Sequence, residues 1–161
     1  MSIEAVKQFL SLRGLADRVE EFQVSSATVE LAAAALGVEG ARIAKSIALY
    51  GEQGGCMLVV CAGDCKIDNG KFKGRFGFKP RMVSFEDALQ MTGHAVGGVC
   101  PFALPENVPV YLDVSLQRFD TVYPAAGSSN SAVRLTCDEL FAASDALGWE
   151  DLCRIRQEQI N

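Results

Sequence analysis

Lys45 interrupts an apolar run, Ile43-Ala44-Lys45-Ser46-Ile47-Ala48-Leu49. A charged amine is disfavoured there unless it has a partner or a task. The plainer account is a strand lysine that lays its stem on apolar surface and keeps its head in solvent. A second candidate is Gly97-Gly98-Val99-Cys100-Pro101. Two glycines let the backbone approach a ligand closely and proline stiffens the exit, so main-chain N–H and C=O groups can do chemistry there. A third is Gly127-Ser128-Ser129-Asn130-Ser131. Both glycine segments also suit tight turns that need positive φ.

A fourth feature is electrostatic. Lys66, Lys71, Lys73, Arg75, Lys79 and Arg81 place six of the fifteen cations in sixteen residues, opposed there only by Asp68. Such a strip suits either phosphate contact or an ordinary solvated helix face. The common catalytic patterns are absent: no Gly-x-x-x-x-Gly-Lys loop, no Gly-x-Ser-x-Gly, no His-Glu-x-x-His and no Gly-x-Gly-x-x-Gly. With one histidine, His94, and no Cys-x-x-Cys pair, neither a Ser/Cys–His triad nor a structural zinc site is expected. His94 is expected to order its loop through a hydrogen bond.

The elements that must position these residues follow from pattern. Ser2 starts a helix carrying Ile3, Val6, Phe9 and Leu10, with Gly14 as its stop, and Thr28 caps a helix over 29–36 ended by Gly37. Residues 43–50 and 56–62 read as strands joined by the turn Gly51–Gly55, hence an antiparallel pair. An edge strand is expected within 19–24, a short helix near Asp68, and a helix from Ser84 to Gly93. Strands are expected at 96–99, 108–112, 121–123 and 132–135. Thr136 with Glu139 forms a capping box for a helix running to Gly148. Irregular interleaving of strands and helices predicts an α+β domain with a mixed or antiparallel sheet.

At 161 residues and 49% hydrophobic content, residues 1–161 make one domain with one core. The longest apolar run, seven residues at 56–62, is far short of the roughly 20 that cross a bilayer. No basic stretch precedes an apolar segment at the start, so no secretory signal is read and a cytoplasmic location is expected. The six scattered cysteines are expected to be reduced and buried. A net charge of -5 argues against a protein that coats DNA or any other nucleic acid by charge alone.

The chain resembles the YbaK/prolyl-tRNA synthetase-associated domain family, the free-standing trans-editing aminoacyl-tRNA deacylases. The matching pieces run in order along most of it: Thr28-Val-Glu-Leu-Ala-Ala, Leu36-Gly-Val, Ile43-Ala-Lys45-Ser-Ile, Thr92-Gly-His-Ala-Val-Gly-Gly-Val-Cys-Pro101, Leu112-Asp113 and Tyr123-Pro-Ala-Ala-Gly127. The resemblance implies a mixed α+β fold around a twisted sheet. It implies hydrolysis, without metal or cofactor, of the ester joining a small misactivated amino acid (Ala, Ser, Thr or Cys) to the terminal adenosine of a tRNA. Carried over, Lys45, Gly97, Gly98 and Pro101 form the catalytic set. Lys45 would hold the phosphate or ribose region and the two glycines would offer main-chain groups.

Ser46, Val99, Cys100, Asp113, Gly127 and Ser128 would bind substrate, and the basic strip would touch tRNA phosphates. Asp113 serves equally well as a helix cap for the residues after it. The expected partner is the acceptor end of a mischarged tRNA, with a prolyl-tRNA or other synthetase complex as a further one. Two departures from the family pattern bear on specificity: Ala103 stands where many relatives carry glycine, and Ser46 occupies the position after the lysine, which differs among subfamilies. A non-catalytic module binding a tRNA end, nucleotide or protein, and a hydrolase of other small esters, remain alternatives.

Overall fold

Apolar, β-branched runs become the central strands, and capped amphipathic stretches become the helices around them. The computed structural model describes residues 2–156. In chain order the elements are α1 (Ser2–Ser11), β1 (Val19–Glu21), α2 (Val29–Leu36), β2 (Ile43–Tyr50), β3 (Cys56–Ala62), β4 (Cys65–Ile67), α3 (Asn69–Phe76) and α4 (Phe85–Thr92). They continue with β5 (Val110–Asp113), β6 (Thr121–Pro124), β7 (Ser131–Val133), β8 (Leu135–Thr136), α5 (Cys137–Ala143), β9 (Gly148–Glu150) and β10 (Cys153–Ile155).

Among the described residues a six-stranded mixed sheet runs β8-β6-β2-β3-β5-β9, with β1-β7 and β10-β4 as separate pairs. Its backbone is the antiparallel β2–β3 hairpin, Ala44↔Ala62 to Tyr50↔Cys56, closed by Gly51 donating to the Gly55 carbonyl at 2.6 Å. Pairing of β2 with β6, of β3 with β5 and of β5 with β9 is parallel. Every residue of β3 is buried, as expected of a central strand covered on both faces. Phe72, Phe102, Leu58 and Leu112 complete the core. All six cysteines are free thiols.

Side-chain caps set the helix starts. Thr28, Asp68, Ser84 and Thr136 accept from the amides of Leu31, Lys71, Asp87 and Glu139, and Glu139 answers Thr136 as a full capping box.

Three expectations are corrected. Residues 96–99 are a turn rather than a strand, because Gly97 has φ +92° and Gly98 donates to the Ala95 carbonyl at 2.9 Å. The last helix ends at Ala143, not Gly148: Asp145 takes the left-handed φ of 51°, and Gly148 opens β9. The strand expected over 132–135 is split at Arg134 into β7 and β8. The strands β4, β9 and β10, three residues each, went unread.

Candidate active site

The edge of β2 opposite β3 is where the site forms. On that side β6 pairs only with Ile43 and Ala44, and Leu49 bridges Met82. Between these contacts Lys45, Ser46 and Ile47 have no strand partner on that edge among the described residues. A cavity of about 310 Å³ lies here, within the usual range for ligand sites. Lys45, Ser46, Gly97 and Val99 line it, so the β2 lysine and the glycine turn, 52 residues apart, share one wall. The remaining lining is largely apolar, including Val29, Ile43, Val83 and Tyr123, with Met82 and Phe85 strongly exposed beside it.

The Lys45 ammonium donates to the Cys65 carbonyl at 2.5 Å, which anchors it over the β3–β4 turn. Ser46 carries an Oγ that is buried yet meets no hydrogen-bond partner. An unmet buried hydroxyl costs about 1–3 kcal/mol. The amides of Gly97 and Val99 find no acceptor among the described residues. The amide of Gly98 is engaged by Ala95, so it is not free to serve a ligand.

The glycine turn is wedged between two loops. A β-carbon on Gly97 would stand 3.2 Å from that of Ala27 and 3.3 Å from that of Ser129, while Gly98 packs directly on the Gly127–Ser128 backbone. Ser26 donates to the Ser129 carbonyl at 2.6 Å, and Asn130 Nδ2 donates to the Phe22 carbonyl at 3.0 Å, tying the 22–28 loop to the 128–131 loop. Behind the turn, His94 is buried; it joins Ser2 of α1 to the Phe102 carbonyl through its two ring nitrogens.

Several residues expected at the site sit elsewhere. Gly98, Cys100, Pro101, Gly127 and Ser128 do not line the cavity; Gly98 packs on the Gly127–Ser128 backbone beside the turn. Burial pushes the Cys100 thiol up to about 12, so it is no nucleophile at neutral pH. Ser128 Oγ bonds Asn130 Oδ1 at 3.0 Å and Ser131 Oγ at 2.6 Å inside its own loop. Asp113 is fully engaged: one oxygen accepts from Leu152 and Cys153, the other from Ser115. Its place in the structure is therefore a buried tie between β5 and the chain before β10, with a cap on the turn at 114–118.

The basic strip also divides. Lys71 and Arg75 pair with Asp151 at 2.9 Å and Glu150 at 2.8 Å, and the Arg81 guanidinium stands 4.7 Å over the Tyr50 ring. Lys66, Lys73 and Lys79 make no ion pair with a described residue. Of the six, Lys66 lines a second cavity that adjoins the first, and the other five line neither of the two. Cavity residues that the sequence did not single out include Ala27, Met82, Val83 and Phe85. Their apolar types carry no chemical signal, and only the fold gathers them. Among the described residues no cluster of three or more His, Cys, Asp or Glu is arranged for a metal ion, and no helix is long and apolar enough to cross a membrane.

Residues 24–143 match the family described as the aminoacyl-tRNA editing domain. The chain belongs to that family. Within it, the chain is 50% identical over 154 residues to the uncharacterised protein YwhH of Bacillus subtilis (strain 168), covering 96% of this chain and 98% of that one. It is 25% identical over 119 residues, 73% of each chain, to EbsC of Enterococcus faecalis (strain ATCC 700802 / V583), whose name proposes a Cys-tRNA(Pro)/Cys-tRNA(Cys) deacylase. A solved structure described as a proposed trans-editing enzyme for prolyl-tRNA synthetase superposes with a TM-score of 0.85 at 33% identity, covering 95% of this chain and 97% of that one. The editing-domain fold is thus the mixed α+β architecture described above.

Proposed function

We propose that this editing domain is a trans-acting aminoacyl-tRNA deacylase of the cytoplasm that hydrolyses the ester of a small misactivated amino acid, of the Ala, Ser, Thr or Cys class, on a mischarged tRNA. The observation that carries this is the shared wall of Lys45, Ser46, Gly97 and Val99 around a small, mostly apolar cavity. Water adds to the ester carbonyl, the bond to the ribose oxygen breaks, and that oxygen takes up a proton. The free amides of Gly97 and Val99 are suited to receive the developing oxyanion. Lys45, fixed by the Cys65 carbonyl, supplies a stationary positive charge beside the ribose or terminal phosphate. An ester is already activated, so positioning and charge stabilisation account for the catalysis.

The apolar walls favour a short side chain, and the Ser46 hydroxyl offers one polar contact to it. Editing of this kind is needed because a pocket gains only about 1–3 kcal/mol per methylene when selecting amino acids. A synthetase that charges the same tRNA, prolyl-tRNA synthetase among them, is the natural partner. The test is release of labelled amino acid from tRNAs mischarged with Ala, Ser, Thr or Cys, comparing the wild type with Lys45→Ala. Cleavage of one ester class, reduced at least about 100-fold by the substitution, is expected. A folded wild type that cleaves none would overturn the proposal.

A further inference from the structure

A second cavity, of about 750 Å³, adjoins the first, and Lys45, Ile47 and Met82 line both. Its own wall carries Lys66 from β4 and Arg154 from β10. These two residues stand directly opposite each other in the antiparallel β4–β10 register. Side chains so paired share a face with β-carbons roughly 4.5–5.5 Å apart, and like charges placed this way repel. One carboxylate, Asp68, reaches Arg154 at 3.8 Å, but its other oxygen caps α3 by accepting from Lys71. With Lys45 at the shared wall, three cations face one carboxylate. An anion seated between Lys66 and Arg154 would relieve their repulsion.

Resting on the function proposed above, we propose that this second cavity holds the phosphodiesters of the unpaired 3′ strand of the tRNA, with Lys66 and Arg154 as the contacts. The ester then lies in the first cavity, and the strand leaves it past Lys45 and Met82. Arg154 enters the binding surface although it lies 73 residues beyond the end of the basic strip, and Lys71 and Arg75 drop out because acids of the 150–151 segment neutralise them. Phosphate contacts made this way release counterions, so each leaves a signature in the salt dependence of binding.

The experiment measures the Kd for uncharged tRNA against salt concentration, for the wild type, Lys66→Ala, Arg154→Ala, the double variant and Arg154→Lys. Arg134→Ala, an exposed cation outside both cavities, is the control. Each alanine is expected to lower the log–log slope by about 0.7 and the double variant by about twice that, with Arg154→Lys and Arg134→Ala close to the wild type. On a tRNA trimmed of its unpaired 3′ nucleotides, the wild type and the double variant should coincide. Unchanged slopes on intact tRNA, or an equal loss on trimmed tRNA, overturn the assignment while leaving deacylation intact. A wild type that cleaves no mischarged tRNA instead removes the function on which it rests.

Discussion

Gly98 lies so close to Gly127 that a β-carbon built on it would stand 2.7 Å from the Gly127 carbonyl carbon and equally close to the Ser128 nitrogen. Both atoms are backbone, so neither can swing aside. This contact joins the turn that bears Gly97 and Val99 to the loop that buttresses it. Gly98→Ala is expected to cost about 1–3 kcal/mol of stability, as overpacking does. It should also lower deacylation at least about tenfold by moving the Gly97 and Val99 amides. Urea unfolding and mischarged-tRNA turnover on the same preparation check both; a variant that keeps full activity and stability would refute the coupling.

Ser46 presents the opposite balance of stability and function. Its buried, unpartnered hydroxyl is a cost to the free protein. Ser46→Ala is expected to leave the unfolding free energy unchanged or raise it by up to about 1 kcal/mol, because one unmet polar group disappears. On substrate the same change should lower kcat/KM about tenfold, since the hydroxyl finds its partner only in the complex. Chemical denaturation and steady-state kinetics must move in these opposed directions; a loss of stability would mean that the hydroxyl is already satisfied.

Ala103 holds a backbone conformation that suits glycine. It has a φ of 54°, in the left-handed region, which costs a residue with a β-carbon roughly 1–2 kcal/mol. Its methyl group packs against the core and returns part of that. Ala103→Gly is therefore expected to stabilise the fold by about 0.5–1 kcal/mol. The midpoint of urea unfolding, at constant slope, measures it, and a destabilised variant would show that the methyl contact outweighs the backbone strain.

How much of this was legible depends on where the information resides. The β2–β3 hairpin and the Thr136–Glu139 capping box are local, so adjacent residue types disclose them. The 96–99 segment misled because Val-Gly-Gly-Val has strand-like valines, while Gly97 takes a positive φ that only the packing of Ala27 and Ser129 explains. Lys45, Gly97 and Val99 could be singled out because a charge in an apolar run and paired glycines are unusual, whereas Ser46 entered only through the family resemblance. Asp113 shows the limit of residue type: a carboxylate that binds substrate and one that ties three buried amides look identical in sequence. Arg154 shows another, since only the β4–β10 register brings it opposite Lys66.

His94 ties the site to pH. Its Nε2 faces the Phe102 carbonyl at 2.7 Å, an acceptor, so in the neutral ring this nitrogen carries the hydrogen and Nδ1 accepts from the Ser2 hydroxyl. Burial holds the imidazole below its ordinary value, more than the Phe102 carbonyl raises it. Its hydrogen-bond neighbours are Ser2, Thr92, Cys100 and Phe102, and the Cys100 thiol, at about 12, stays neutral. The unfolded chain therefore binds a proton at about pH 6.5, and the folded chain only at lower pH. The stability that His94 contributes is complete above about pH 6.5 and is lost as pH falls from there through the folded value. His94→Gln keeps a polar side chain but removes the titration, so unfolding free energy between about pH 5 and 7 should fall with acid in the wild type and stay nearly flat in the variant. Carboxylates held low by their partners, Asp64 beside Arg118 and Glu139 beside Arg18, titrate below this window and affect both proteins alike. Parallel pH profiles would show that the ring is not the group whose titration sets this pH dependence.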